Sequence, residues 1–120
     1  MEKKIYHLST CNTCQRIIGE IQPADDVVLQ DIKSEAITPE QLDRMKDLSG
    51  SYESLFSRRA MKYRSLGLNE MELSEEEYRK YILEEYTFLK RPVMLVGDEI
   101  FVGNAKKVVA AAKAAFDAAN

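Results

Sequence analysis

A short apolar run, Ile5-Tyr6-His7-Leu8, leads within three residues into Cys11-Asn12-Thr13-Cys14. From Cys14 onward, Ile17, Ile18 and Ile21 continue a stripe at the spacing of one helix face. The chain must therefore pass from a buried strand into a helix at the cysteines, and that junction constrains fold and chemistry together. A cysteine at a helix start faces unpaired N–H groups and the positive end of the helix dipole, and both favour thiolate over thiol. Cys11 holds that place. Cys14 lies one turn on, at the head of the apolar stripe, and is expected to be more buried and less nucleophilic. The natural division is Cys11 as attacking thiolate and Cys14 as resolving thiol, the two closing a short-loop disulfide. Arg16 adds positive charge within the first turns. The alternatives are two buried cysteines with no chemistry, and a metal site made by two chains.

The chain has 120 residues, enough for one ordinary domain with a single core. A formal net charge of -3 argues against general binding to nucleic acid or an anionic membrane. No apolar run approaches the length that spans a bilayer. Met1-Glu2-Lys3-Lys4 is followed by no signal-peptide core, so the expected location is the cytoplasm. In that compartment a lone pair of cysteines reads as redox-active or metal-binding rather than as a structural disulfide. A four-ligand zinc site is poorly supported, because His7 is the only histidine and there is no third cysteine.

Residues 3–8 read as a strand, Asn12 to Glu20 as a helix, and Val27 to Ile32 as a second strand after a turn at Gln22-Pro23-Ala24-Asp25-Asp26. The middle third is helical. Thr38, Pro39 and Gln41 form a capping box with proline at the first helical position, and Gly50 is the stop. Ser57 is expected to cap a second helix ending at Gly67. Ser74 and Glu77 form another capping box, for a helix that buries Tyr78, Tyr81 and Ile82. Val93-Met94-Leu95-Val96 and Ile100-Phe101-Val102 flank a Gly97-Asp98 turn as a hairpin. Ala105 to Ala119 closes the chain as a helix, with Val108, Ala112, Ala115 and Phe116 inward. A β-α-β start and a β-β-α finish with helices between them fit an α/β sandwich of the thioredoxin type. The expected fold is one domain over residues 1–120, with a helical insertion at about 35–88.

Arg58, Arg59 and Arg64 fall in or beside the helix expected after Ser57, and Arg91 directly precedes Pro92. A guanidinium is a planar fork of donors suited to an oxyanion, although a surface arginine is often only solvated. Arg91 stands out because it abuts a proline ahead of an apolar strand. In a thioredoxin-type fold that proline is expected to be cis and to hold the backbone before it against the reactive thiol. His7 suits either a proton relay or a hydrogen-bonded structural histidine.

Together these residues resemble the ArsC/Spx family of arsenate reductases, the redox-sensing regulator Spx and their relatives. The resemblance rests on Cys11-x-Thr13-Cys14-x-Arg16, on Leu55-Phe56-Ser57-Arg58-Arg59 leading to Tyr63-Arg64-Ser65-Leu66-Gly67-Leu68, on Leu89-Lys90-Arg91-Pro92-Val93, and on Val102-Gly103 before the last helix. It implies a thioredoxin-like fold with a helical insertion. It also implies Cys11 as the nucleophile that forms a thiol–arsenate adduct. Arg91, Arg59 or its neighbour Arg58, and Thr13 are then the anion-binding residues, with Pro92 structural. No bound cofactor or metal is implied. Glutathione or a thioredoxin- or glutaredoxin-type protein would be the reductant.

Two positions depart from the glutaredoxin-linked reductases, which usually carry serine at the place of Cys14 and a third anion-binding arginine at that of Asn104. A second cysteine resembles Spx, which uses its Cys-x-x-Cys as a redox switch and binds the C-terminal domain of the RNA polymerase α subunit. The polymerase α subunit is thus the alternative partner. Spx-type proteins tend to end in a longer basic tail, whereas this chain ends in an alanine-rich helix.

Overall fold

A computed structural model describes residues 1–120. Four strands and five helices are present: β1 (Lys3–His7), α1 (Asn12–Ile21), β2 (Val28–Asp31), α2 (Pro39–Ser49), α3 (Met61–Ser65), α4 (Glu75–Glu84), β3 (Val93–Val96), β4 (Glu99–Val102) and α5 (Lys106–Ala118). Single 3₁₀ turns occupy Glu53–Leu55, Leu68–Glu70 and Tyr86–Phe88. The chain divides into two compact units, one made of Met1–Ala36 with Arg91–Asn120 and the other of Ile37–Lys90.

The first unit is a four-stranded mixed sheet in the order β2-β1-β3-β4. β1 pairs parallel with β2 and antiparallel with β3, so Ile5 lies between Leu29 and Met94. β3 and β4 form the hairpin, with Val93 opposite Val102 and Gly97 at a φ of +61° in its turn. Side chains alternate across a strand. Ile5, Met94 and Val96 thus share one face and form a core with Ile17 and Ile21 of α1 and Val109, Ala112 and Phe116 of α5. Val109 takes the inward place expected of Val108, which is half-buried. A one-residue rotation along an alanine-rich helix costs little, because alanines give no strong preference for either face. At the far end of α1, Gln22 adopts a left-handed φ of +50° and its N–H caps the Ile18 carbonyl.

The second unit is helical. Both capping boxes form, Thr38 with Gln41 and Ser74 with Glu77, each side chain meeting the other residue's N–H. Gly50 ends α2 in the left-handed region, where glycine has no Cβ penalty. From α4, the Glu75 carboxylate accepts the N–H groups of Tyr52 and Glu53 at 2.8 and 3.1 Å and so caps the first 3₁₀ turn. Phe56 is the centre of an aromatic cluster. It stacks on Phe88 at 4.9 Å and meets the edges of Tyr78 at 5.0 Å and Tyr63 at 5.8 Å.

The expected helix from Ser57 to Gly67 is mostly absent. Phe56 forms an isolated antiparallel bridge with Leu89, and the Ser57 N–H donates to the Phe88 carbonyl at 2.7 Å. These pairings hold the backbone extended where the helix was expected to start. Only Met61–Ser65 becomes helical, from Ala60 rather than Ser57, with Gly67 left-handed just beyond it. Arg58 and Arg59 therefore lie in the preceding turn. Tyr81, expected in the core with Tyr78 and Ile82, is half-buried and meets Phe88 through an edge contact.

Candidate active site

The turn between β1 and α1 carries the cysteines. The Cys11 N–H donates to the Leu8 carbonyl at 3.0 Å, and its own carbonyl accepts the Gln15 N–H at 3.2 Å. Cys11 is the N-cap of α1, with extended backbone at φ -96° and ψ 111°. Beside this turn, Asp31 at the end of β2 accepts the Ser9 and Lys33 N–H groups at 3.3 and 3.2 Å. The Ser9 hydroxyl above all, then the Lys33 and Ser9 N–H groups, hold its carboxyl down at about 2.

No disulfide joins the two cysteines. Cys11 is half-buried and Cys14 fully buried, at 0% exposure. Their environments push in opposite directions. Burial alone would raise the Cys11 thiol. The Cys14 N–H and thiol, then the Thr13 N–H and the charge on Arg91, outweigh it, and Cys11 sits below the ordinary thiol value. Its sulfur completes no cap hydrogen bond in the strict geometric sense, so the effect is one of converging dipoles and charge rather than of one strong bond. Cys14 is pushed up to about 11, chiefly by burial and further by its neighbour Cys11, against the Leu8 N–H and Arg91, which favour its thiolate.

Arg91 thus acts on both sulfurs. It is half-buried, and the Arg91–Pro92 peptide that leads into β3 is cis. Arg16 is turned elsewhere: it pairs with Glu20 one turn on at 2.7 Å, with both side chains largely exposed. Thr13 is half-buried in the first turn of α1. His7, the last residue of β1, is half-buried, and its Nδ1 lies 3.3 Å from Gln15 Nε2. That contact makes it a hydrogen-bonded residue at the end of the strand. Gln15 was missed in the sequence because a helical glutamine carries no signal of its own. The hint was its place four residues after Cys11 and eight after His7.

Arg58 and Arg59 belong to the second unit. Arg58 pairs with Glu53 at 2.7 Å, donates to the Tyr78 hydroxyl at 3.0 Å and lies over the Tyr78 ring. Arg59 is exposed in the turn before α3. Their assignment to anion binding is carried by the resemblance alone. No three side chains of His, Cys, Asp or Glu converge as metal ligands, and no helix is long and apolar enough to cross a membrane.

Within the first unit, then, two thiols of unequal acidity sit at a helix start beside an arginine. One sulfur is accessible and biased toward thiolate, and the other is protonated and enclosed. Such a pair can form a covalent bond at the outer sulfur and exchange it for a disulfide with the inner one.

The ArsC family model matches residues 6–112. Solved structures share the fold. A protein named YFFB is 24% identical, with a TM-score of 0.76 and coverage of 92% of this chain and 97% of that one. An arsenate reductase from Vibrio cholerae is 19% identical, with a TM-score of 0.74 and coverage of 93% and 98%. An arsenate reductase (ArsC) related protein from Brucella melitensis is 24% identical, with a TM-score of 0.70 and coverage of 92% and 93%. No curated protein sequence matches the chain.

Proposed function

The chain belongs to the ArsC family, and on that premise we propose that it is a thiol-dependent oxidoreductase in which Cys11 is the nucleophile and Cys14 the resolving thiol. The observation that supports this most is the inequality of the two sulfurs. Cys11 lies below the ordinary thiol value and is accessible, whereas Cys14 is buried and pushed up to about 11. A pair with equal environments would have no preferred order of attack.

Arsenate is the candidate substrate. The Cys11 thiolate attacks arsenic and forms a sulfur–arsenic bond, while one oxygen takes a proton and leaves as water. Arg91, whose charge already favours thiolate at both sulfurs, is assigned to offset the charge of the oxyanion, and Thr13 to bind it. The adduct removes two of the influences that keep Cys14 protonated, namely the hydrogen bond and the charge from Cys11. The Leu8 N–H and Arg91 remain and favour ionisation. Cys14 then attacks the Cys11 sulfur. The sulfur–arsenic bond breaks with its electron pair on arsenic, which passes from the pentavalent to the trivalent state and leaves as arsenite. The two cysteines are left as a disulfide, two electrons poorer. An external dithiol of the thioredoxin or glutaredoxin class, or glutathione, restores them by exchange and is itself oxidised.

A single-turnover experiment tests this reading. Reduced protein is mixed with arsenate and quenched in acid, arsenite is measured, and cysteine states are mapped by mass spectrometry. Wild type should yield arsenite and a Cys11–Cys14 disulfide in equal amounts. Cys14→Ser should form no such disulfide, and Cys11→Ser should yield nothing. Full arsenite production by Cys11→Ser would overturn the assignment.

A further inference from the structure

The amide of Gln15 bridges α1 to the end of β1. Its Nε2 lies 3.1 Å from the Leu8 carbonyl oxygen and 3.3 Å from His7 Nδ1. A carbonyl oxygen only accepts, so the nitrogen end of the amide must face β1. The second N–H on that nitrogen then meets His7 Nδ1, which has to be the acceptor. The ring proton therefore sits on Nε2.

The same Leu8 carbonyl also accepts the Cys11 N–H, and the Gln15 N–H donates to the Cys11 carbonyl. Both main-chain polar groups of Cys11 are thus held either by Gln15 or by the oxygen that Gln15 holds. The other side of Leu8 matters as well, because its N–H faces the Cys14 sulfur. The His7 carbonyl is fixed in turn by the Ile32 N–H at 2.9 Å. To this main-chain frame the Gln15 side chain adds the bonds to the Leu8 carbonyl and the His7 ring.

We propose that Gln15 is a positioning residue for the thiol pair: its amide pins the Leu8 carbonyl, and with it the turn that presents Cys11, while holding His7 as the Nε2–H tautomer. The proposal deepens the oxidoreductase reading and rests on Cys11 being its nucleophile. Charge does not carry the effect. The groups that favour the Cys11 thiolate are the Cys14 N–H and thiol, the Thr13 N–H and the charge on Arg91; Arg16 is engaged with Glu20, and Gln15 is neutral. Loss of Gln15 changes the thiolate through the geometry of the turn.

The test uses the ring nitrogens of His7, the only histidine, read by nitrogen-15 NMR at pH 8, together with the rate of Cys11 alkylation at pH 7. In wild type, Nδ1 should resonate as an unprotonated nitrogen and Nε2 as a protonated one. In Gln15→Met, which keeps length and removes the donors, this preference should relax. The alkylation rate should fall about fivefold, the equivalent of one net hydrogen bond. A proton on Nδ1 in the wild-type protein overturns the proposal without any variant. So does a folded Gln15→Met with wild-type tautomer and wild-type alkylation rate. Neither readout needs turnover. A protein that shows the expected tautomer and its loss in the variant, yet reduces no substrate, refutes the oxidoreductase reading alone.

Discussion

Limiting iodoacetamide added to the reduced protein at pH 7 should label Cys11 more than about ten times faster than Cys14. The magnitude follows from the two environments. A thiol pushed up to about 11, as Cys14 is, is ionised in roughly one molecule in ten thousand at pH 7. A thiol at the ordinary value of 9.0 is ionised in about one in a hundred, and Cys11 lies below that value. Thiolate populations alone therefore favour Cys11 by more than about a hundredfold. Intrinsic nucleophilicity falls with acidity, and over two pKa units this returns about a factor of ten to Cys14. The remaining tenfold is a lower bound, because Cys14 is also closed to the reagent at 0% exposure.

The assay is a time course with peptide mapping of each cysteine, run once in buffer and once in concentrated urea. Unfolding removes the helix start, the burial and Arg91 together, so the ratio in urea should approach one. Equal labelling in the native protein would refute the argument. A large ratio that persisted in urea would do the same, since the cause would then lie in local sequence.

Two further outcomes are expected. The fold keeps the proton on Cys14 to about 11 and on Tyr6 to about 12, both chiefly through burial, against 9.0 and 10.0 for ordinary groups. Between those limits the unfolded chain binds fewer protons than the folded one, so stability should fall as pH rises from 9 toward 12; a urea midpoint that stayed level or rose over that range would contradict it. Phe56→Ala should cost about 3–5 kcal/mol in urea unfolding, because the ring is fully buried and touches Phe88, Tyr78 and Tyr63; a loss below about 1 kcal/mol would show that the cluster repacks around the gap.

What could be read from the sequence was whatever the chain specifies locally. Thr38-Pro39-x-Gln41 and Ser74-x-x-Glu77 contain both partners of each capping box, so those helix starts were visible without any fold. The hairpin was visible for the same reason, with a Gly97-Asp98 turn between two apolar runs. The strand-to-helix junction placed Cys11 outside and Cys14 inside, as the structure has them. The error at Ser57 has the opposite origin. A plausible cap was overridden by pairing with Phe88 and Leu89, about thirty residues further on, and no local signal reports such pairing. Arg16 is a different case, since Glu20 stands four residues on and was a visible local partner, while Val109 displaces Val108 on a helix that alanine leaves nearly indifferent. Gln15 is the sharpest case. Its value lies in an acceptor at Leu8 and a ring at His7, and a helical pattern shows neither.

β1 is an inner strand with partners of very different origin. β2 follows it closely in the chain, whereas β3 begins at Val93. On the ribosome the two cysteines therefore emerge about 80 residues ahead of Arg91, an interval of about 4–16 s at ordinary elongation rates. Until β3 is made, β1 lacks its partner on that edge and the thiols lack their arginine. The nascent pair is a more ordinary dithiol than the finished one, and the bias that separates Cys11 from Cys14 is completed only when translation has passed Pro92.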